Sequence, residues 1–292
     1  TKVVMGNGVT SIGNNAFTGV EAKFAAIVTQ DNFYSYFDEN CILLDAVTSD
    51  ELIFQGEFSE LVSRITLNRS ITITGDNAVL KNIAFNIAGD GVKLENMTLD
   101  ANSNLGNLID ITGENAVISN LNITYDGGVE EAVAINVAGD NVNILNNTIF
   151  FESYVPDDSK FAIALKLTDC YNALVDGNSI TTQLPCVYAY TYDEDYYIMG
   201  SDRVNPVRLK DCEGLVFKNN TINSTTNDYS ADFPTIQAIQ IIGCHNSVLD
   251  HNNISMIDEM TPAGMDIYLY GINFGYNDNV TFSYHTSKMS TT

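Results

Sequence analysis

Apolar residues recur along the chain at a fixed distance from one another. Seven of them, taken as reference positions, are each followed five residues later by a second apolar residue, with polar and apolar residues alternating between the two. An alternation of period two is typical of β-strands and not of α-helices. The reference residues are Leu80, Leu94, Ile118, Ile144, Val175, Phe217 and Leu249, followed by Phe85, Leu99, Ile123, Ile149, Ile180, Ile222 and Ile254.

Successive reference residues are separated by steps of 14, 24, 26, 31, 42 and 32 residues, most of them within the range of solenoid repeats. Further short strands are predicted at 133–137, 163–167 and 236–242, so that one repeat holds three strands. The sequence therefore predicts an all-β fold: a right-handed, single-stranded parallel β-helix of about seven to eight coils with an N-terminal capping helix. The 14-residue step is too short for a coil and is interpreted as two strands merged across Phe85 and Ile87.

Asparagine recurs two or three positions after each reference residue. In stacked coils a repeated residue forms a ladder along the axis, and an inward-turned amide both donates to and accepts from backbone groups of neighbouring coils. A structural ladder is therefore predicted for Asn82, Asn96, Asn120, Asn146, Asn178, Asn220 and Asn252. Two residues of this region, Asn146 and Asn219, are expected to be buried.

Cysteine recurs five positions before the last three reference residues, as Cys170, Cys212 and Cys244. Adjacent coils are about 4.8 Å apart, a separation that a disulfide also allows. The preferred interpretation is a ladder of buried, reduced thiols. A disulfide between two of them and a soft-metal site remain alternatives.

The chain ends and the domain division follow from the same pattern. Residues 29–40 place Phe33, Tyr36 and Phe37 on one face, which predicts the short amphipathic capping helix. We expect residues 1–28 to be a linker or N-terminal extension, 29–70 the cap and first strands, and 71–292 the β-helix with loop insertions in its C-terminal half. The chain is expected to be a segment of a larger protein, and no apolar run is long enough to cross a membrane.

Inserted loops are predicted at 150–160, 181–205, 223–234 and 255–266, all on one side of the rod. Long loops on a rigid scaffold commonly carry function. The predicted binding site lies in the second of them, where alternating tyrosines share one strand face beside acidic residues: Tyr188, Tyr190, Tyr192, Asp193, Asp195, Tyr196 and Tyr197. Such a surface suits sugar rings or a protein partner. The alternative is that these tyrosines pack the loop against the rod.

The charge balance excludes several classes of protein. The chain has 37 acidic and 13 basic residues, a net charge of -24. Nucleic acids and anionic membranes require clustered lysine and arginine, so neither is expected as a partner. Because hydrophobic residues make up 45% of the chain, it has the material for a sizeable core.

No catalytic residues are predicted. The stacked acidic positions Asp76, Asp90, Glu114 and Asp140 lie in turns, where they suit turn geometry, and their carboxylates also suit Ca2+. No other cofactor is expected. Of the Asn-x-Ser/Thr sequons, Asn223 is predicted to lie in a loop and is the candidate for glycosylation.

The opening segments carry a resemblance to a known family. The segments DNFYSYFDEN (31–40), LIFQGEF (52–58) and ITITGDNAVLKN (71–82) resemble the adhesin-like surface proteins of methanogenic archaea, within the pectate-lyase-like superfamily of β-helices. The similarity covers residues 29 to about 255, and Cys41 stands where that family usually has glycine. It implies an exported, modular cell-surface protein that mediates attachment, with no catalytic residues to carry over.

The predicted function is therefore that of a non-catalytic, extracellular, cell-surface adhesin or display module. It would bind a glycan or protein of another cell through the Tyr- and Asp-rich loops, without spanning the membrane. Two alternatives remain: a polysaccharide-active enzyme, acting as lyase, hydrolase or epimerase, and a purely structural spacer.

Overall fold

The computed structural model describes most of the chain. The described residues are 2–5, 16, 23–59, 61, 63–102, 105–156, 160–188, 190–192, 197–199, 203–229, 234–258 and 268–291. They form strands almost throughout, with one short 3-10 helix and no α-helix in this part of the chain. The predicted all-β class is confirmed.

The strands are short and follow one another closely. The N-terminal part contains β1 (Lys2–Met5), β2 (Lys23–Val28), the 3-10 helix η1 (Gln30–Ser35), β3 (Glu51–Phe58), β4 (Arg64–Leu67), β5 (Thr72–Lys81) and β6 (Ala84–Ile87). The middle contains β7 (Lys93–Glu95), β8 (Thr98–Ala101), β9 (Asn107–Ile111), β10 (Val117–Ser119), β11 (Asn122–Asp126), β12 (Ala132–Val137), β13 (Asn143–Leu145), β14 (Thr148–Glu152) and β15 (Ala162–Thr168).

The C-terminal part continues the same succession. It contains β16 (Leu174–Asp176), β17 (Ser179–Tyr188), β18 (Tyr190–Tyr192), β19 (Tyr197–Met199), β20 (Val204–Lys210), β21 (Val216–Lys218), β22 (Thr221–Tyr229), β23 (Pro234–Ile242), β24 (Val248–Asp250), β25 (Asn253–Asp258), β26 (Tyr268–Gly275), β27 (Thr281–Ser283) and β28 (Thr286–Thr291).

From β4 onward, all strands except β18 and β19 pair in parallel with their equivalents and form three columns. Column A contains β5, β7, β10, β13, β16, β21, β24 and β27. Column B contains β5, β8, β11, β14, β17, β22, β25 and β28. Column C contains β4, β6, β9, β12, β15, β20, β23 and β26. From β7 onward the chain passes through A, B and C in that order and then returns to A, so the predicted parallel arrangement is confirmed.

The short first step of the repeat has a different origin from the one predicted. Leu80 pairs with Leu99 in column B, whereas the partner of Leu94 in column A is Ile73. Leu80 and Ile73 both belong to β5, a single ten-residue strand that contributes to two columns. The merger therefore lies within β5 and not across Phe85 and Ile87, which both lie in β6.

The corner after column A requires a left-handed backbone. The residue two positions after the reference has φ between +48° and +72° at every level from Asn96 to Tyr284: Asn96, Asn120, Asn146, Gly177, Asn219, His251 and Tyr284. Asparagine and glycine adopt this conformation with the least strain. This conformation accounts for the repeated Asn-or-Gly signal in the sequence.

The predicted asparagine ladder is confirmed at Asn178, Asn220 and Asn252, whereas at the earlier levels the buried position lies one residue after the predicted one. Asn96, Asn120 and Asn146 are exposed, as is Asn219, so the prediction of inward amides at these sites is wrong. Asn82 turns a different corner, where its Oδ1 accepts a hydrogen bond from the Asn102 N–H. The left-handed residue turns its side chain outward, and the residue after it enters the core. At the successive levels that buried residue is Met97, Leu121, Asn147, Asn178, Asn220 and Asn252.

Four of these residues form a continuous amide ladder: Asn147, Asn178, Asn220 and Asn252. In each step one side-chain oxygen accepts both the backbone N–H and the side-chain N–H of the preceding asparagine. For Asn178 and Asn220 both distances are 2.9 Å. The Asn220 amide also donates to the Val175 carbonyl at 3.1 Å. The ladder thus satisfies backbone groups that are buried at the corner.

Two neighbouring asparagines in this corner should differ in how strongly their substitution changes stability. Asn220→Ala removes the acceptor of two buried N–H groups and the donor to Val175, so we expect a loss of about 2–4 kcal/mol of unfolding free energy. Asn219→Gly keeps the left-handed backbone and should change it by less than about 1 kcal/mol. Denaturant unfolding of both variants tests this difference, and equal losses would contradict it.

The core lies between the columns, and its last level is open. Inward residues of the penultimate level are fully buried, whereas their partners in the last level are not: Ile241 pairs with Phe274, Leu249 with Phe282 and Met256 with Met289. The exposed fractions of Phe274, Phe282 and Met289 are 65%, 36% and 39%. Position within a column therefore decides how much each equivalent residue contributes to stability.

Met256 and Met289 provide a matched pair because they have the same side chain in the same column. Met256 is 0% exposed and Met289 is 39% exposed. We expect Met256→Ala to lower the unfolding free energy by about 2–5 kcal/mol, as is usual for buried methionine. Met289→Ala should cost less than about 1 kcal/mol. Comparable losses in denaturant titrations would show that the last level is covered in solution.

The N-terminal cap differs from the prediction. The amphipathic helix predicted over 29–40 is replaced by η1, six residues of 3-10 helix. Phe33 and Phe37 are nevertheless buried, with ring centroids 4.3 Å apart, and Phe33 also meets Phe54 edge to face. Asn32 donates its side-chain amide to the Ile27 carbonyl, which ties the turn to β2. The aromatic residues thus cover the core without an α-helix.

The residues before and after this cap belong to the same sheet. β2 pairs in parallel with β3 and β1 pairs with β2, so residues 23–28 of the predicted extension are part of the sheet. Cys41 is buried with φ +56°, the conformation for which glycine is favoured. The division at residues 28 and 70 stays a prediction. In the part of the chain that is described, no helix has the length and apolarity to cross a membrane.

Candidate functional site

The predicted loop segments begin within strands of column B. β17 extends into 181–205 as far as Tyr188, β22 into 223–234 as far as Tyr229, and β25 into 255–266 as far as Asp258. Asn223 lies within β22 between Thr181 and Ser255, so its prediction as a loop residue is wrong. Its side chain is half-buried.

The tyrosine-rich segment leaves the main sheet. Tyr188 ends β17 and pairs antiparallel with Pro234, whereas Tyr190 and Tyr192 lie in β18, so the three do not share one strand. β18 pairs antiparallel with β19 in a separate two-stranded sheet, with Tyr192 opposite Tyr197. We call this two-stranded sheet the tyrosine hairpin. Asp193, Asp195 and Tyr196 lie outside the described residues.

A cluster of cations surrounds one phenylalanine beside column C. Lys166 Nζ lies 4.2 Å from the centroid of the Phe161 ring, and the guanidinium carbons of Arg203 and Arg208 lie 5.1 and 5.8 Å from it. Lys166 and Arg208 are paired in neighbouring strands. Burial, and then the charge of Arg208, lower the pKa of the Lys166 ammonium.

The sequence pattern did not predict this cluster. A usable signal was present, since Lys166 and Arg208 each stand four positions before a cysteine of the repeat. Aligning on the cysteines places the two cations in adjacent strands. Phe161 carried no such signal, because it precedes β15 and belongs to no column.

Two carboxylates occupy neighbouring strands of column B. Asp126 pairs with Glu152 in β11 and β14, and both are half-buried. Burial, followed by the charge of Asp126, raises the pKa of Glu152. Asp126 accepts from the Gly128 N–H, and Glu152 accepts from the Tyr154 hydroxyl. Two neighbouring carboxylates, one of them with a raised pKa, are the arrangement that acid–base catalysis on glycosides uses.

A histidine, an aspartate and a serine meet near the end of the rod without forming a nucleophilic triad. Asp250 accepts from the Ser283 hydroxyl at 2.5 Å and lies 2.7 Å from His251 Nδ1, and these two contacts, the Ser283 hydrogen bond first, lower the pKa of Asp250. A nucleophile must instead contact the imidazole that removes its proton. Here the carboxylate lies between them and ties β24 to β27.

The acidic turn residues do not converge. Asp90 accepts from the Glu114 N–H and Asp140 from the Tyr171 N–H, each at 2.9 Å, so these carboxylates bind backbone groups of the next level. Asp76 lies in β5 and accepts from Gln55, outside this series, and its predicted alignment with the others is wrong. Within the described ranges, no group of three His, Cys, Asp or Glu side chains fits a metal ion.

The cysteine column lies in the core at the end of column C. Cys170, Cys212 and Cys244 are buried free thiols, and the sulfurs of Cys170 and Cys212 are 2.9 Å apart. The hydrogen bond with Cys170 is the main cause that raises the pKa of Cys212. The pKa of Cys244 is raised mainly by its hydrogen bond with Cys212 and further by burial. Neutral thiols are therefore favoured by the folded state.

This shift makes stability fall at alkaline pH. A raised folded pKa contributes stability that is complete below the unfolded value, about 8.5, and is lost as the pH rises above it. Between pH 8.5 and 10 we expect the stability advantage of the parent protein over Cys212→Ala/Cys244→Ala to shrink by about 2 kcal/mol per thiol. The difference between the parent protein and Met256→Ala should not change, and a constant difference for both variants would contradict the prediction.

Comparison with known proteins gives distant structural similarity. No protein-family model and no curated protein matches the chain. The surface adhesin PfbA of Streptococcus pneumoniae is similar with a TM-score of 0.35 and 11% identity, over 92% of this chain and 84% of that one. The catalytic domain of a GH87 α-1,3-glucanase in complex with tetrasaccharides has a TM-score of 0.30 and 14% identity, over 83% of this chain and 62% of that one. Similarity at this level does not extend to function.

Proposed function

We propose that the chain is a cell-surface adhesion module, built as a right-handed parallel β-helix of about eight coils that displays the tyrosine hairpin to a glycan or protein of another cell. The regular return of the chain through columns A, B and C supports the β-helix. The proposal includes membership in the adhesin-like surface proteins of methanogenic archaea. It does not include a cofactor.

The observation that carries the proposal is the departure of the tyrosine hairpin from the parallel sheet. Its strands make a sheet of their own, whereas the strands before and after them, β17 and β20, continue columns B and C. A segment that does not extend the stacked core is available for contact with a partner. Tyrosine is enriched at binding hot spots because it offers a large apolar face with a polar end.

The test measures retention of labelled protein on a panel of microbial cells and polysaccharide beads, with the supernatant assayed for released sugar. We expect retention of the parent protein without product. Tyr190→Ser/Tyr192→Ser should weaken retention at least about tenfold, as expected for hot-spot residues. Tyr171→Ser is the control, since Tyr171 is an exposed tyrosine outside the hairpin.

Two outcomes would contradict this proposal. Undiminished retention of the hairpin variant would remove the hairpin from the binding surface. Lack of retention on every surface would favour the structural spacer. Thermal unfolding of each variant distinguishes loss of binding from loss of fold.

A second candidate function is polysaccharide cleavage, favoured by the carboxylates of Asp126 and Glu152. Burial, and then the charge of Asp126, raises the pKa of Glu152, which suits a general acid, and Asp126 supplies the second carboxylate that such a mechanism requires. In the same assay this function would appear as released sugar. That product should disappear in Glu152→Gln and persist in Tyr190→Ser/Tyr192→Ser.

A further inference from the structure

The strands of column C have an apolar face toward the core and a polar face on the outside. In β15, Leu165 and Leu167 are fully buried, and Lys166 between them is half-buried, so its side chain turns away from the core. In-register pairing continues this outer row along the rod as Asp110, Asn136, Lys166, Arg208 and Gln240. The row carries hydrogen-bonding groups at the spacing of neighbouring strands, about 4.8 Å.

Positive charge is concentrated at the middle of this row. Three of the 13 basic residues of the chain surround Phe161, although the net charge is -24. Contact with the ring face stabilises each cation. Burial, and then the charge of Arg208, lower the pKa of Lys166, while Glu131 and Asp110 act in the opposite direction. An anion placed beside Lys166 would stabilise its charged form.

The three cations differ in access. Arg208 is 4% exposed and donates its Nε–H to Gln240 Oε1 at 3.2 Å, so it acts as a fixed, buried charge. Lys166 and Arg203 are half-buried and present part of their surface to solvent. Arginine and lysine together offer forked and single N–H donors, which suit the oxygens of a carboxylate or sulfate.

We propose that Lys166 and Arg203 bind the carboxylate or sulfate group of an acidic glycan, with Arg208 as a positioning residue behind them. This inference deepens the proposed function, on which it rests, by naming the class of glycan. Approach of a short acidic saccharide is not prevented by the net charge, because repulsion from distant carboxylates is screened beyond about 8 Å at physiological salt.

The test is calorimetric titration of the protein with four probes: a glucuronate-containing tetrasaccharide, its neutral methyl ester, a sulfated tetrasaccharide without carboxylates, and inorganic sulfate. We expect at least one acidic tetrasaccharide to bind and the methyl ester to bind at least about tenfold more weakly, since it lacks the charge. Which acidic probe binds distinguishes carboxylate from sulfate recognition.

The matched variants are Lys166→Gln/Arg203→Gln and Lys93→Gln/Lys288→Gln. Each pair removes two positive charges, and Lys93 and Lys288 are exposed lysines outside the cluster. We expect the first pair to weaken binding at least about tenfold and the second to leave it unchanged. Equal binding by both pairs, failure of both acidic tetrasaccharides to bind, or binding of inorganic sulfate alone would overturn the proposal.

The two proposals fail separately. If cells retain the protein through the tyrosine hairpin but no acidic tetrasaccharide binds, the cation site is wrong and the adhesion module stands. If an acidic tetrasaccharide binds through Lys166 and Arg203 but no cell or polysaccharide retains the protein, the adhesion module is wrong and the anion site stands.

Discussion

In-register parallel pairing is the constraint on which the rest of this structure depends. Because each strand pairs residue by residue with its equivalents above and below, a side chain meets the same neighbours at every level. An inward position must therefore be filled by residues that pack on copies of themselves, as Ile118 and Ile144 do. The same rule applies to polar groups, so an inward asparagine is tolerable when neighbouring levels supply partners for its amide, as Asn220 and Ile144 do for Asn178.

Corner geometry decides which face each residue occupies. A left-handed residue turns the chain sharply, so the residue two positions before it and the residue after it both enter the core, as Leu94 and Met97 do on either side of Asn96. At the corner before column A the backbones are closer still: a Cβ on Gly139 would lie 2.2 Å from the Gly113 carbonyl oxygen. Gly89, Gly113 and Gly139 therefore occupy this position at three successive levels, and Cys170, Cys212 and Cys244 occupy it at the following three.

Sequence periodicity predicts the columns but not which residue of an Asn-Asn pair turns the corner and which enters the core. The repeat of Leu94, Ile118 and Ile144 places the strands of column A correctly, because the two-residue period links burial to sequence directly. The Asn-Asn pairs are ambiguous, since either residue can turn the corner, and a one-residue error exchanges the exposed Asn146 for the buried Asn147. Resolving this ambiguity requires the backbone angle, which the composition of the pair does not specify.

The candidate sites were predictable to different degrees for the same reason. The tyrosine hairpin was visible as a composition change between two coils, although its division between β17 and β18 was not. The cation cluster depends on contact between Phe161, which belongs to no column, and Lys166 and Arg208, which do. Periodicity aligns residues within columns only, so a site that combines a column with a connecting segment becomes visible when the three-dimensional path is known. In a stacked fold of this kind, regular positions provide stability, and departures from the repeat are where binding chemistry is most readily accommodated.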